Sequence, residues 1–227
     1  MIENVSIRQA ILDDIPFIIE AICESEKSSS EIISSCKVFK FTEEKFREIL
    51  KEILAQNIEH YDYYLSGFLV AELDGKPIGA LGSWLEGADN TVSGILKATS
   101  LFPYLDKSSI KSISANTKIV KGLSFNREKG TLQLEHGFVV ENFRRQGVFS
   151  KLLAENIKRN YAKYGGFEKV QGILFKDNFK SFYAHLKFGY VVAEEKIVDD
   201  PEIFKFFPFN KKVLMEFYKD KIVNLVK

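Results

Sequence analysis

The chain is 227 residues long, enough for one large domain or two small ones. It is 45% hydrophobic, sufficient for a full core, and 32 basic against 31 acidic residues leave no basic field to argue for nucleic acid. No apolar run approaches the roughly 18 residues of a membrane span, and three scattered histidines without a Cys-x-x-Cys suggest no metal site.

The opening, Met1–Ser6, has no basic segment followed by an apolar run, so no signal peptide is expected. Val5–Ala10 alternates like a strand, and Asp13-Asp14 is placed to cap a helix with Pro16 in its first turn. Cys23 and Cys36 are the only cysteines. A reduced, cytoplasmic protein is a simpler reading of them than one bridge. Ser28-Ser29-Ser30 marks a loop, and Thr42 is the N-cap of a second helix with Phe46, Ile49, Leu50 and Ile53 as its apolar stripe. Gly67–Leu73 and Ile78–Leu85 read as strands joined by Asp74-Gly75-Lys76-Pro77, where Asp-Gly is a strong hairpin signal. An early hairpin predicts an α/β domain around a mixed, mostly antiparallel sheet.

Residues 87–129 are too many for a simple strand-to-strand connection. Helices are expected over Val92–Leu101 and Lys107–Leu123, with Phe102-Pro103 ending the first. Such an insertion either decorates the surface or builds a pocket wall or a dimer surface. A helix over Gly147–Tyr164 and a buried strand over Val170–Phe175 follow. Ile203–Phe209 is dense in aromatics, which more often means packing than a ligand box, and Lys211–Tyr218 reads as a last strand.

The stretch from Phe138 to Leu153 is the most informative. An apolar strand turns into a helix through the basic loop Arg144-Arg145-Gln146-Gly147-Val148-Phe149-Ser150. A helix N-terminus has unpaired N–H groups and a partial positive charge, so it binds phosphate, most of all when a loop wraps its own amides around the anion. The pattern suits a phosphate-bearing ligand with a long tail lying along the strand.

Arg144-x-x-Gly147-x-Phe149 resembles the acyl-CoA-binding motif of the GNAT superfamily of N-acyltransferases, written Gln/Arg-x-x-Gly-x-Gly/Ala. Phe149 departs from its last position. Downstream, Asn178, Lys187, Gly189 and Tyr190 fall in register with the superfamily pattern Asn-x-x-Ala-x-x-Leu-Tyr-x-Lys-x-Gly-Phe, with Ser181 replacing the small Ala. The two segments are separated by one helix, as in the family, and the resemblance covers about Leu132 to Glu195. It implies a single GNAT-like domain over residues 1–227, with the helical insertion at about 87–129 preceding the cofactor strand. It also implies acetyl-CoA as cofactor. The amides from Arg144 and Arg145 through Gln146, Gly147, Val148 and Phe149 to Ser150 would hold its pyrophosphate, and Asn178 would be a further contact.

The implied reaction transfers an acetyl group to an amine by direct attack in a ternary complex. A thioester is already activated, so the protein must place the amine, remove its proton and stabilise the oxyanion. Glu135, at the start of the cofactor strand, stands where the superfamily often has its base, and Glu86 is a second candidate. His185 occupies the register of the family's Tyr and is assigned to re-protonate the leaving thiolate. Tyr183 lies two residues away, on nearly the opposite helix face. Backbone N–H groups near Val139 and Val140, at a bulge the family carries, are matched to the oxyanion. His60 and His136 read as structural. A non-catalytic acyl-CoA sensor, a longer acyl donor and a hydroxyl acceptor stay open. The acceptor itself, small molecule or peptide, is not legible, and neither is a homodimer.

Overall fold

A computed structural model describes residue 2 and residues 4–227 of the chain. Its elements, in order, are β1 (Ser6–Gln9), α1 (Ile15–Lys27), α2 (Ser34–Phe39), α3 (Glu43–Gln56), β2 (Phe68–Leu73), β3 (Lys76–Leu85), α4 (Ser93–Leu101) and α5 (Lys107–Lys121). Then follow β4 (Leu132–Val139), α6 (Val148–Tyr164), β5 (Lys169–Phe175), α7 (Phe179–Phe188), β6 (Val191–Ile197), β7 (Lys211–Tyr218) and α8 (Lys219–Val226). The strands form one sheet in the order β1-β2-β3-β4-β5-β7-β6. Only β4 and β5 run parallel; the other neighbours are antiparallel. The sheet is therefore mixed and mostly antiparallel, as its early hairpin predicts.

Local chemistry accounts for the element ends. The β2–β3 turn is two residues long, with Asp74 and Gly75 both at positive φ (50° and 75°), the geometry that Asp-Gly favours. Lys76 and Pro77 belong to β3, not to the turn as the sequence suggested. Thr42 caps α3 by accepting the Lys45 amide. Asp14 stands at the N-cap of α1 but makes no side-chain cap; its carboxylate instead accepts the Ile11 amide and two Arg8 nitrogens. Both cysteines are free thiols, pushed up to about 12 by burial.

Alternation along the strands sends two sets of side chains to opposite faces. On one face Leu132, Leu134, Val170, Val213, Met215 and Phe217 pack against Leu152, Leu153 and Ile157 of α6 and Ile222 of α8. On the other, Val70 and Ala80 pack with α1 and α3. A third cluster joins Phe175 to Leu123, Ile203, Phe206 and Phe207, so most of the aromatic stretch before β7 is core. The insertion provides α4 and α5 on this second face, where α5 lies against α2. Among the described residues no helix is long and apolar enough to cross a membrane, and no group of three or more metal-ligating side chains converges.

Candidate active site

The sheet opens at its centre. β4 and β5 pair over three residues only, Leu132–Leu134 against Val170–Gly172, and then diverge. A bulge in β4 drives this. Gly82 pairs with Glu135 and Ala80 with Phe138, so Leu81 faces both His136 and Gly137. His136 adopts φ 55°, which turns its side chain onto the α1 face beside Ser25, Tyr63 and Phe68. Beyond the bulge, Val140 N donates to Ile78 O at 2.9 Å. Alternation in an antiparallel pair then directs the Val139 N–H away from β3 and into the slot between β4 and β5. Of the two amides matched to an oxyanion, Val140 is therefore committed to the sheet and Val139 is free.

The slot ends at a run of backbone donors. The amides of Arg145, Gln146, Gly147, Val148, Phe149 and Ser150 meet no backbone carbonyl among the described residues; the first amide of α6 to be taken up is Lys151, by Gly147 O at 3.0 Å. Two left-handed residues, Arg145 (φ 61°) and Gly147 (φ 87°), shape this loop into a concave nest. Gly147 is the N-cap of α6 and makes the reversal without Cβ strain. Arg144 folds back, its Nε donating to Val139 O at 2.8 Å, which sets a cation at the end of the slot. The Phe149 ring lies over Gly137, where a Cβ would come within 2.7 Å of it, and edge-on to His185. The Phe149 amide itself meets no backbone carbonyl among the described residues, so the departure from Gly/Ala does not remove that donor.

Asn178 stands at the N-cap of α7 but makes no side-chain cap. Its Oδ1 accepts from Ser29 Oγ at 3.2 Å, which ties α7 to the loop after α1. His185 is buried under the slot, edge-on to Phe149 and Tyr190. Its Nδ1 donates to Ser181 O at 2.8 Å, since a carbonyl only accepts, so in the neutral ring Nε2 is a lone pair. Burial lowers its pKa below the usual histidine range. The ring therefore carries no spare proton at neutral pH, the reverse of the polarity the acid role requires. Tyr183 is exposed and stacks on Phe179, on a different face from His185, as the two-residue offset requires.

On the α1 face, Glu135 Oε1 accepts from Arg127 at 2.6 Å. Arg127 also donates to Gln133 and lies over the Trp84 ring, so it is held from three sides. Glu135 Oε2 has no hydrogen bond among the described residues. Glu86, by contrast, is closed to chemistry. It is buried, and its two oxygens accept the Trp84 indole N–H and the Ser93 amide, both at 2.9 Å, which anchors the start of α4. His136 sits in a further buried group. Its Nδ1 meets Ser25 Oγ, and Asp62, 3.7 Å from Nε2, is paired with Lys97 of α4 at 2.5 Å. Lys97 and Arg127 both come from the 87–129 segment, so the insertion walls this face.

Arg127, Asp62, Lys97 and Lys212 were not singled out by sequence. None belongs to a motif, and only the register of Lys212, alternating with core residues Val213 and Met215, could have placed it on this face. Two shallow hollows lie elsewhere, about 490 Å³ on the outer face of α5 around Ile110, and about 340 Å³ between α7 and α8 around Phe217.

No family model matches the chain, and no curated protein does. Solved structures share its fold. An N-acetyltransferase from Staphylococcus aureus Mu50 aligns at TM-score 0.62 and 15% identity over 93% of this chain and all of the other. YncA from Salmonella typhimurium, solved with its cofactor acetyl-CoA, aligns at 0.52 and 14% over 95% and 94%. PaiA N-acetyltransferase from Thermoplasma acidophilum, solved with coenzyme A, aligns at 0.51 and 16% over 95% and 99%. The chain thus shares the fold of these N-acetyltransferases, the fold that its two motifs imply.

Proposed function

We propose that the protein is an N-acetyltransferase that moves an acetyl group from acetyl-CoA to a primary amine. One observation carries the reading: six consecutive unpaired amides form a nest at the end of an open slot between two parallel strands. Such a nest matches a pyrophosphate, and the slot matches the extended arm behind it. Proteins of this fold have been solved with acetyl-CoA and with coenzyme A, which supports the same ligand here.

The bound cofactor supplies an activated thioester. The rest falls to the chain. Arg145–Ser150 amides bind the pyrophosphate, and Arg144 adds charge at the slot's end. The Val139 N–H, turned into the slot, donates to the oxyanion. Glu135 uses its free Oε2, directly or through water, to accept the amine proton. Arg127 holds Glu135 and fixes its orientation. His185 lines the slot as a neutral ring, and the thiolate, whose conjugate thiol is a stronger acid than a phenol, leaves without it. Asn178, tied to Ser29, borders the slot as a further cofactor contact. The protein acts as a single domain, in the cytoplasm.

A thermal-shift panel of CoA, acetyl-CoA and longer acyl-CoAs, followed by thiol release over an amine library, tests this. Stabilisation by CoA with acetyl-CoA-dependent thiol release on an amine is the expected result. CoA stabilisation without turnover of any amine or alcohol would leave a sensor module instead.

A further inference from the structure

Resting on the acetyltransferase reading, we infer that the acceptor is an amine that also carries a carboxylate, and that Lys212 holds that carboxylate. Lys212 is the second residue of β7, in register with Phe175 of β5. Its neighbours Val213 and Met215 alternate with it, and Val213 and Met215 face the α6 core, so Lys212 projects onto the opposite face, where Glu135 lies. There its Nζ stands 4.5 Å from the Phe175 ring centre and 4.9 Å from that of Phe207.

The charged groups facing Lys212 come from five elements: Glu26 on α1, Lys97 on α4, Arg127 after α5, Glu135 on β4, and its cross-strand partner Lys196 on β6, whose Nζ donates to Ser124 O. Each anion of this face already has a partner. Glu135 takes Arg127, Asp62 takes Lys97, and Glu26 accepts the Ser35 amide and hydroxyl at 2.8 and 2.7 Å. Lys212 makes no ion pair and no hydrogen bond among the described residues. Two aromatic faces attract its charge but accept none of its three N–H donors in line. Lys212 is half-buried by its solvent exposure, and the desolvation this brings lowers its pKa to about 8, with Glu135 the leading charge acting against that shift. An unpaired ammonium on the same face as the base would repel a protonated amine. The arrangement is coherent when the same substrate brings an anion: its carboxylate neutralises Lys212 while its nitrogen approaches Glu135.

Matched acceptors that differ only by the carboxylate test this: phenylalanine and phenethylamine, tyrosine and tyramine, lysine and cadaverine. Thiol release is measured with parent protein, Lys212→Met and Lys212→Arg, alongside CoA thermal shift. A charge-assisted contact of this kind predicts that the acid-bearing member of at least one pair is favoured about tenfold or more in kcat/KM. Lys212→Met should abolish that preference through a raised KM for the acid-bearing member, with the decarboxylated partner unchanged or faster, and Lys212→Arg should restore part of it. In the parent, KM for the acid-bearing amine should rise above pH 8 as Lys212 discharges, a rise that Lys212→Arg removes. Equal use of both members, an equal loss for both in Lys212→Met, or no turnover of any acid-bearing amine by a protein that CoA stabilises would overturn the inference and leave the cofactor reading standing. Absence of a CoA shift in the parent would instead remove the cofactor reading, and the inference with it.

Discussion

Gly147→Val separates the amide nest from every other account of the loop. Gly147 sits at φ 87° at the head of α6. An L-residue there costs about 1–2 kcal/mol, and a β-branched one sits at the upper end. The chain relieves that strain by rotating the peptides on either side, which swings the amides of Gly147 and Val148 out of the nest. Each hydrogen bond to a charged group is worth about 1.5–3 kcal/mol, so partial loss of two predicts about 2–4 kcal/mol. That is roughly 30- to 700-fold in Kd. The assay is calorimetric titration with CoA and with pantetheine, which has the arm but no pyrophosphate. CoA should weaken by that factor and pantetheine should stay within about twofold. Unaltered CoA affinity, or an equal loss for pantetheine, would show that the nest does not bind the pyrophosphate.

Glu135→Gln should lower kcat/KM by about 10²–10⁴-fold near pH 7, the usual worth of a general base, and recover in part at high pH where free amine is abundant; a flat loss across pH would assign Glu135 a structural role. His185→Phe keeps the edge-on packing against Phe149 and Tyr190, so turnover should stay within about threefold of the parent; a larger fall in kcat with intact CoA affinity would reinstate the acid role. Glu86→Ala strands the buried Trp84 and Ser93 N–H groups and should cost about 2–4 kcal/mol in urea unfolding. The folded fraction of that variant should turn over at the parent rate, and a loss of kcat at full folding would make Glu86 more than an anchor.

Much of the fold was legible because it rests on local rules. Asp74-Gly75 announced the hairpin, Thr42 the start of α3, and Gly147 the turn into α6. The amide loop was equally local: one glycine and a helix start place six donors in a row. α2, β6 and α8 were missed for physical reasons. α2 is six residues long, β6 is a largely exposed edge strand without a buried face to enforce alternation, and α8 follows β7 without a break. The face that carries Glu135 was less legible because its polar groups pair across long separations. Glu86 and Glu135 look alike in sequence, and only Trp84, Ser93 and Arg127 separate the anchor from the candidate base. The proton state of His185 was set by the Ser181 carbonyl and by burial, neither of which its motif register reveals.

The most direct test of the cofactor site is an amide NMR titration of ¹⁵N-labelled protein with CoA. The account predicts that the amides of residues 145–150 and Val139 shift together, saturating at one Kd. Val140, bonded to Ile78, should move less. Shifts confined to the hollow between α7 and α8, with residues 145–150 unmoved, would contradict it.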